Sequence, residues 1–97
     1  KQSNNECEII DFLQKAYHDK VDGIIINPGA YTHYSYAIYD ALKAVSIPAV
    51  EVHLSDIHSR EDFRKISVTA PACIKQICGK GKEGYIEGLL YLLEYLK

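Results

Sequence analysis

Apolar positions first recur at helical spacing: Ile9, Ile10, Leu13, Ala16 and Tyr17 share a face, while Glu8, Asp11 and Lys15 mostly line the others. Ser3 with Glu6 three residues later is a capping-box pattern, and a first helix is predicted over roughly Asn4 to Tyr17. The period then changes. Gly23 to Asn27 is a β-branched run without polar alternation, the pattern of a strand covered on both faces of a parallel sheet. After a Pro28-Gly29 turn, Ala37, Ile38, Ala41 and Leu42 predict a helix over about His33 to Val45, ended before Ser46-Ile47-Pro48. Ala49 to His53 reads as a second strand, Ser55 to Ser59 as loop, and Arg60 to Lys65 as a short helix with Ser59 as its N-cap. Ile74, Ile77 and the Gly79-Lys80-Gly81 stop predict a third strand over Cys73 to Cys78. A closing helix over about Lys82 to Leu96 carries Ile86, Leu89, Leu90 and Leu93 as an apolar stripe expected to pack on the sheet.

Helices alternating with strands in this order indicate an α/β protein with an open parallel sheet, right-handed crossovers and helices on both faces. Ligands in such sheets bind beyond the carboxyl ends of the strands. Chemistry is therefore expected just after Ile26, just after Val52 and after Ile77.

Composition narrows the options. Ninety-seven residues allow one domain at most, and 47% hydrophobic with 25% charged residues is enough to build a core rather than a disordered tail. A net charge of -2 leaves no basic excess for phosphates, which argues against nucleic acid and anionic membranes as partners. Cys7, Cys73 and Cys78 form no CxxC pair and suggest neither a disulfide framework nor a zinc knuckle; a reducing, cytoplasmic setting is expected. No apolar run approaches the length of a membrane span, and no signal-peptide pattern opens the chain. The chain contains no Met and opens on a helix entrance, which suggests a start within a longer sequence.

Two polar clusters fall at the expected strand ends. In Asn27-Pro28-Gly29-Ala30-Tyr31-Thr32-His33, Gly29 permits close backbone approach, and Asn27 and His33 can bond hydroxyl or carboxylate oxygens; an ordinary turn would use the same residues. In Glu51-Val52-His53-Leu54-Ser55, residues two apart on a strand point to one side, so Glu51 can orient His53 and favour its protonated form. Arg60 and Arg64, four apart, would share a helix face and could reach back to that edge or simply meet solvent with Glu61 and Asp62. Glu51, His53 and His58 match no recognised metal-ligand spacing, so neither a metal nor another cofactor is expected.

Taken together, the clusters resemble type II 3-dehydroquinate dehydratase, the dehydroquinase of the shikimate pathway to chorismate and the aromatic amino acids. The resemblance runs through Gln2-Ser3-Asn4 with Glu6, Asn27-Pro28-Gly29-Ala30 with Thr32-His33, Asp40-Ala41-Leu42 and Pro48. It continues in Glu51-Val52-His53-Leu54-Ser55, Arg60-Glu61, Phe63-Arg64 and Gly84-Tyr85. It implies a flavodoxin-like fold and a lyase that removes a proton next to the ketone of 3-dehydroquinate and expels the β-hydroxyl as water through an enolate. It implies His53 as the general acid and Glu51 as its orienting partner. Asn27 and the amides of Leu54 and Ser55 resemble the substrate-carboxylate site, and His33 and Arg64 the hydroxyl-binding residues. Asp40 resembles the acid that reaches a neighbouring subunit in a trimer-based dodecamer. Arg60 has no assigned role.

The sequence also departs from that family. Its opening strand, its Asn-Gly-Pro-Asn motif and the mobile loop with a catalytic arginine and a tyrosine base have no counterpart among these residues, and no tyrosine here takes the base's role. Cys7 stands where the family usually has Gly. The expectation is a partial domain, residues 1–97 forming the C-terminal two-thirds of such an enzyme, lacking the N-terminal strands and inactive alone. The edge of the strand at Gly23 to Asn27 would then be bare. The alternative is a non-catalytic, sugar-like binding lobe of a sensor protein, whose strand cores would look the same; a scaffold subunit would be soluble only with a second polypeptide.

Overall fold

The computed structural model describes all residues from Lys1 to Lys97. Three strands, β1 (Ile24–Ile26), β2 (Ala49–His53) and β3 (Lys75–Cys78), form one parallel sheet in the order β1-β2-β3. Ile26 is opposite Glu51, and Glu51 is opposite Gln76. Side-chain alternation along β2 assigns its residues to two layers. Ala49 joins Leu13, Ile26, Ile38, Leu42 and Val45 under α1 (Glu6–His18) and α2 (Tyr36–Val45). Val50 and Val52 join Ile77 and Leu92 under α3 (Glu83–Tyr95). Helices thus cover both faces, as the unbroken apolar run at β1 predicted.

Helix entrances depart from the sequence expectation. α1 is capped by Asn5, whose side chain accepts from the amides of Cys7 and Glu8, and not by a Ser3–Glu6 box. Ser3 Oγ instead accepts from the Asn5 amide, and the Glu6 carboxylate accepts a bond from Ser35 Oγ. Ser35 in turn caps α2 by accepting from the Ile38 amide, so that helix starts at Tyr36 and not at His33. Gly29 to His33 forms a 3-10 helix, η1, entered with Gly29 at a φ of +59°, a backbone that favours glycine. Ala37, expected on the buried side of α2, is exposed.

The helix expected over Arg60 to Lys65 is not formed. Asp56 caps a short turn at Ile57–Ser59, Ser59 Oγ donates back to the Asp56 carbonyl, and Arg60 is extended. Only the turn Asp62–Arg64 follows. Phe63 and Ile66 remain exposed, so no apolar face is buried to offset the cost of helix nucleation.

α3 holds the largest correction. Its predicted stripe faces away from the sheet: Ile86 is 61%, Leu89 49%, Leu90 59% and Leu93 54% exposed. Gly84, Gly88 and Leu92, at a spacing of four, form the buried face. A Cβ on Gly84 would stand 3.0 Å from Val52, and one on Gly88 3.3 Å from Val50, so the helix backbone rests so close to β2 that any larger residue makes these valines give way. β1 and β3 are the edges of the sheet. A groove of about 920 Å³ runs along β1, lined by Ile9, Phe12, Ile24, Ile25, Ile26 and Tyr85 among others.

Candidate active site

β2 brings Glu51 and His53 to one side of the sheet, the side away from α3, and buries both at 0% and 5% exposure. His53 Nε2 lies 2.8 Å from Glu51 Oε2. The same oxygen accepts from Ser67 Oγ at 2.9 Å and Gln76 Nε2 at 2.8 Å, and Thr69 Oγ1 donates to Oε1. Burial alone would push this carboxyl up, but the His53, Thr69, Gln76 and Ser67 donors together outweigh it and hold its pKa at about 2 instead of 4.5. Glu51 is therefore an anion at neutral pH and can only accept, so the proton between the pair sits on His53 Nε2, leaving Nδ1 as the exchanging nitrogen.

A folded-state pKa below the unfolded value gives stability that is complete above pH 4.5 and is lost as pH falls from there toward 2. The expected loss over that window is ~3 kcal/mol. Denaturant midpoints measured from pH 5 down should show it, and the slope should flatten in Glu51→Gln; an equal slope in both chains would contradict the assignment.

The other predicted residues divide into those the chain gathers and those it does not. Asn27, just past β1, accepts from the Gly29 amide through Oδ1 and donates to Tyr85 Oη at 3.0 Å through Nδ2. His33 Nδ1 is 2.8 Å from the Ile66 carbonyl, which can only accept, so Nδ1 carries the proton and Nε2 is the acceptor of the neutral ring. The carbonyls of Leu54 and Ser55 accept from the amides of Gly81 and Gly79, both at 3.1 Å, pinning this turn while its own two amides donate to no protein group. Such a pair of free amides beyond a strand end suits an anionic oxygen.

Arg64 and Asp40 are not brought to the Glu51–His53 pair. Arg64 Nε lies 2.7 Å from Glu61 Oε2, a contact too poorly aligned to count as a hydrogen bond, and the guanidinium rests 4.9 Å from the Phe63 ring centre. Arg60 is exposed, and with no helix there the two arginines share no face. Asp40 is exposed on α2. His58 is exposed in the Ile57–Ser59 turn, and no three His, Cys, Asp or Glu side chains gather as a metal-ligand set. No helix is long and apolar enough to cross a membrane.

Sequence reasoning missed Ser67, Thr69, Gln76, Thr32 and Tyr85 as neighbours of the candidate residues. Gln76 was within reach of the sequence, since the parallel register sets it opposite Glu51. Ser67 and Thr69 lie in an irregular segment with no periodicity to place them. Nearby, the Cys73 thiol is pushed up to about 12, first by burial and then by the Glu51 charge, and is therefore a poor nucleophile.

Comparison with known proteins gives this arrangement a context. The family model described as dehydroquinase class II matches residues 1–93. The 3-dehydroquinate dehydratase of Clostridium beijerinckii is 73% identical over 85 residues, covering 88% of this chain and 58% of that protein. That of Fusobacterium nucleatum is 66% identical over 94 residues, covering 97% of this chain and 64% of the relative. The crystal structure of the type II dehydroquinase from Butyrivibrio crossotus superimposes with a TM-score of 0.93 at 58% identity, covering 95% of this chain and 64% of that one. This chain thus spans less than two thirds of the length of these relatives. Its open parallel sheet is that of the type II dehydroquinase fold, and the chain belongs to the class II dehydroquinase family.

Proposed function

We propose that these residues carry the acid half of a 3-dehydroquinate dehydratase site, a hydro-lyase of the shikimate pathway. The observation that carries this reading is the buried Glu51–His53 pair at the carboxyl end of β2, its carboxylate held ionised and its imidazole free at Nδ1. Removal of the proton next to the substrate's ketone gives an enolate. As the enolate electrons re-form the ketone and the new carbon–carbon double bond, the C–O bond to the β-hydroxyl breaks, and His53 Nδ1–H protonates that oxygen so that water leaves. Glu51 stabilises the imidazolium before transfer and holds the ring's orientation afterwards.

The free amides of Leu54 and Ser55, with Asn27, receive the substrate carboxylate, and His33 Nε2 accepts from a ring hydroxyl. Arg64 joins the site after leaving Glu61. No residue of this chain is assigned as the base, which belongs to a loop carried by the N-terminal segment of a complete relative. The same segment adds strands along the β1 edge, completing a domain to which residues 1–97 contribute the C-terminal part. Asp40, exposed on α2, serves a neighbouring copy in a trimer-based dodecamer located in the cytoplasm. The sensor-lobe alternative would leave the convergence of donors on Glu51 without a purpose.

A direct test joins residues 1–97 to the N-terminal segment of the Clostridium beijerinckii relative and follows the enone absorbance of 3-dehydroshikimate. The joined chain should turn over, and the 97-residue chain alone should be slower by a factor of about 10² to 10⁴, the usual worth of a general base. A folded joined chain without turnover, or equal rates for the two, would overturn the proposal.

A further inference from the structure

Three hydroxyls stand behind the Glu51–His53 pair. Thr32 Oγ1 lies 2.7 Å from Thr69 Oγ1 and 2.8 Å from Ser67 Oγ, and both Thr32 and Thr69 are wholly buried. Ser67 and Thr69 each direct their single hydroxyl hydrogen to the Glu51 carboxylate. The Thr32 hydrogen is then the one left to bridge between them, donated to the oxygen of one or the other. Ser67 Oγ also accepts from the Ala70 amide. Two further bonds tie the same segment to η1: the Val68 amide donates to the Thr32 carbonyl at 2.7 Å, and His33 Nδ1 donates to the Ile66 carbonyl. From the opposite side, Gln76 on β3 reaches Glu51 Oε2. The carboxylate is thus gripped by two chain segments besides its own strand's His53, and η1 braces one of them.

We propose that Thr69, Ser67 and Gln76, cross-linked to η1 by Thr32, are positioning residues that keep Glu51 a fixed anion, so that His53 carries a proton on Nε2 and exchanges protons through Nδ1. The neutral donors share the carboxylate's charge and limit how strongly it binds the imidazolium. Removing one leaves the buried carboxylate less well compensated and raises the pH at which Glu51 takes up a proton. The other titratable groups facing Glu51 are the thiols of Cys73, ahead of β3, and Cys78, on β3. α2 and α3 pack on the sheet through Ile38, Leu42 and Val45 and through Gly84, Gly88 and Leu92, none of them charged. Lys75 turns to Tyr91, and η1's His33 to Ile66.

The importance of His53 in turnover rests on the proposed function, whereas the positioning role can be read without substrate. The joined chain, labelled with ¹⁵N at histidine, is titrated by long-range ¹H–¹⁵N correlation, which distinguishes the two ring tautomers. Neutral His53 should show Nε2–H, and the Glu51 carboxyl, followed by ¹³C in the same chain, should take up its proton at a higher pH in Thr69→Val and in Gln76→Leu, returning to the parent value in Thr69→Ser. Gln76 is partly exposed on an edge strand, so its variant keeps the test open should Thr69→Val fail to fold. An Nδ1–H tautomer in the parent chain, or a Glu51 midpoint moved by less than about 0.3 unit in the folded variants, would overturn the proposal. A joined chain lacking turnover yet showing these shifts would sink the catalytic reading and leave the positioning role standing.

Discussion

In residues 1–97 joined to a base-bearing segment, His53→Gln should lower kcat by about 10² to 10⁴ while leaving KM within a few-fold, equivalent to ~3 to 5 kcal/mol of barrier. The argument rests on which nitrogen is free. Nε2 is committed to Glu51 at 2.8 Å, so a glutamine can preserve that bond through its amide but has no second group able to deliver a proton. The leaving oxygen must then depart as hydroxide or draw its proton from solvent, which is the deficit a general acid removes. A loss confined to kcat separates this role from substrate binding, since an interaction made equally in ground and transition states would appear in KM. Retention of more than a third of the parent kcat by a folded His53→Gln chain would show that another group delivers the proton.

Glu51→Leu should cost ~3 to 5 kcal/mol of folding stability, a large share of the ~5 to 15 kcal/mol available to a domain. The carboxylate accepts from His53, Ser67, Thr69 and Gln76, and leucine leaves all four donors facing an apolar side chain around a fully buried position. Replacing a whole buried polar cluster with apolar residues can be neutral, but removing only its acceptor is not. Equilibrium denaturation of the 97-residue chain would read the effect as a fall in midpoint. A change under about 1 kcal/mol would mean that water enters the site or that the donors find other partners.

How far the sequence reached depended on whether a feature was periodic. The first strand was legible because Ile24–Ile26 is apolar without alternation, and the Glu51–His53 pair was legible because a two-residue spacing on a strand admits one geometry. The Arg60–Lys65 helix was misread because charged residues at helical spacing look alike whether or not an apolar face anchors them; Phe63 and Ile66 stay exposed and join no core. α3 was misread for a related reason. Hydrophobicity counted Ile86, Leu89, Leu90 and Leu93 as the inner face, whereas the close approach to β2 selects the smallest residues. The donors to Glu51 were hidden because two of the four lie in the irregular stretch before β3, where only the tertiary fold sets direction.

The glycine face of α3 also changes how substitutions along that helix should be valued. Gly84 and Gly88 contribute almost no apolar surface, yet they determine the spacing between helix and sheet, so tolerance at these positions is governed by volume alone: alanine already presses on Val52 or Val50. The outward leucines obey the opposite rule. Their side chains do not touch the sheet, so two sets of positions interleaved on thirteen residues answer to two separate physical constraints. A hydrophobicity scale reads the first set as dispensable and the second as essential, the reverse of their importance to this half of the fold.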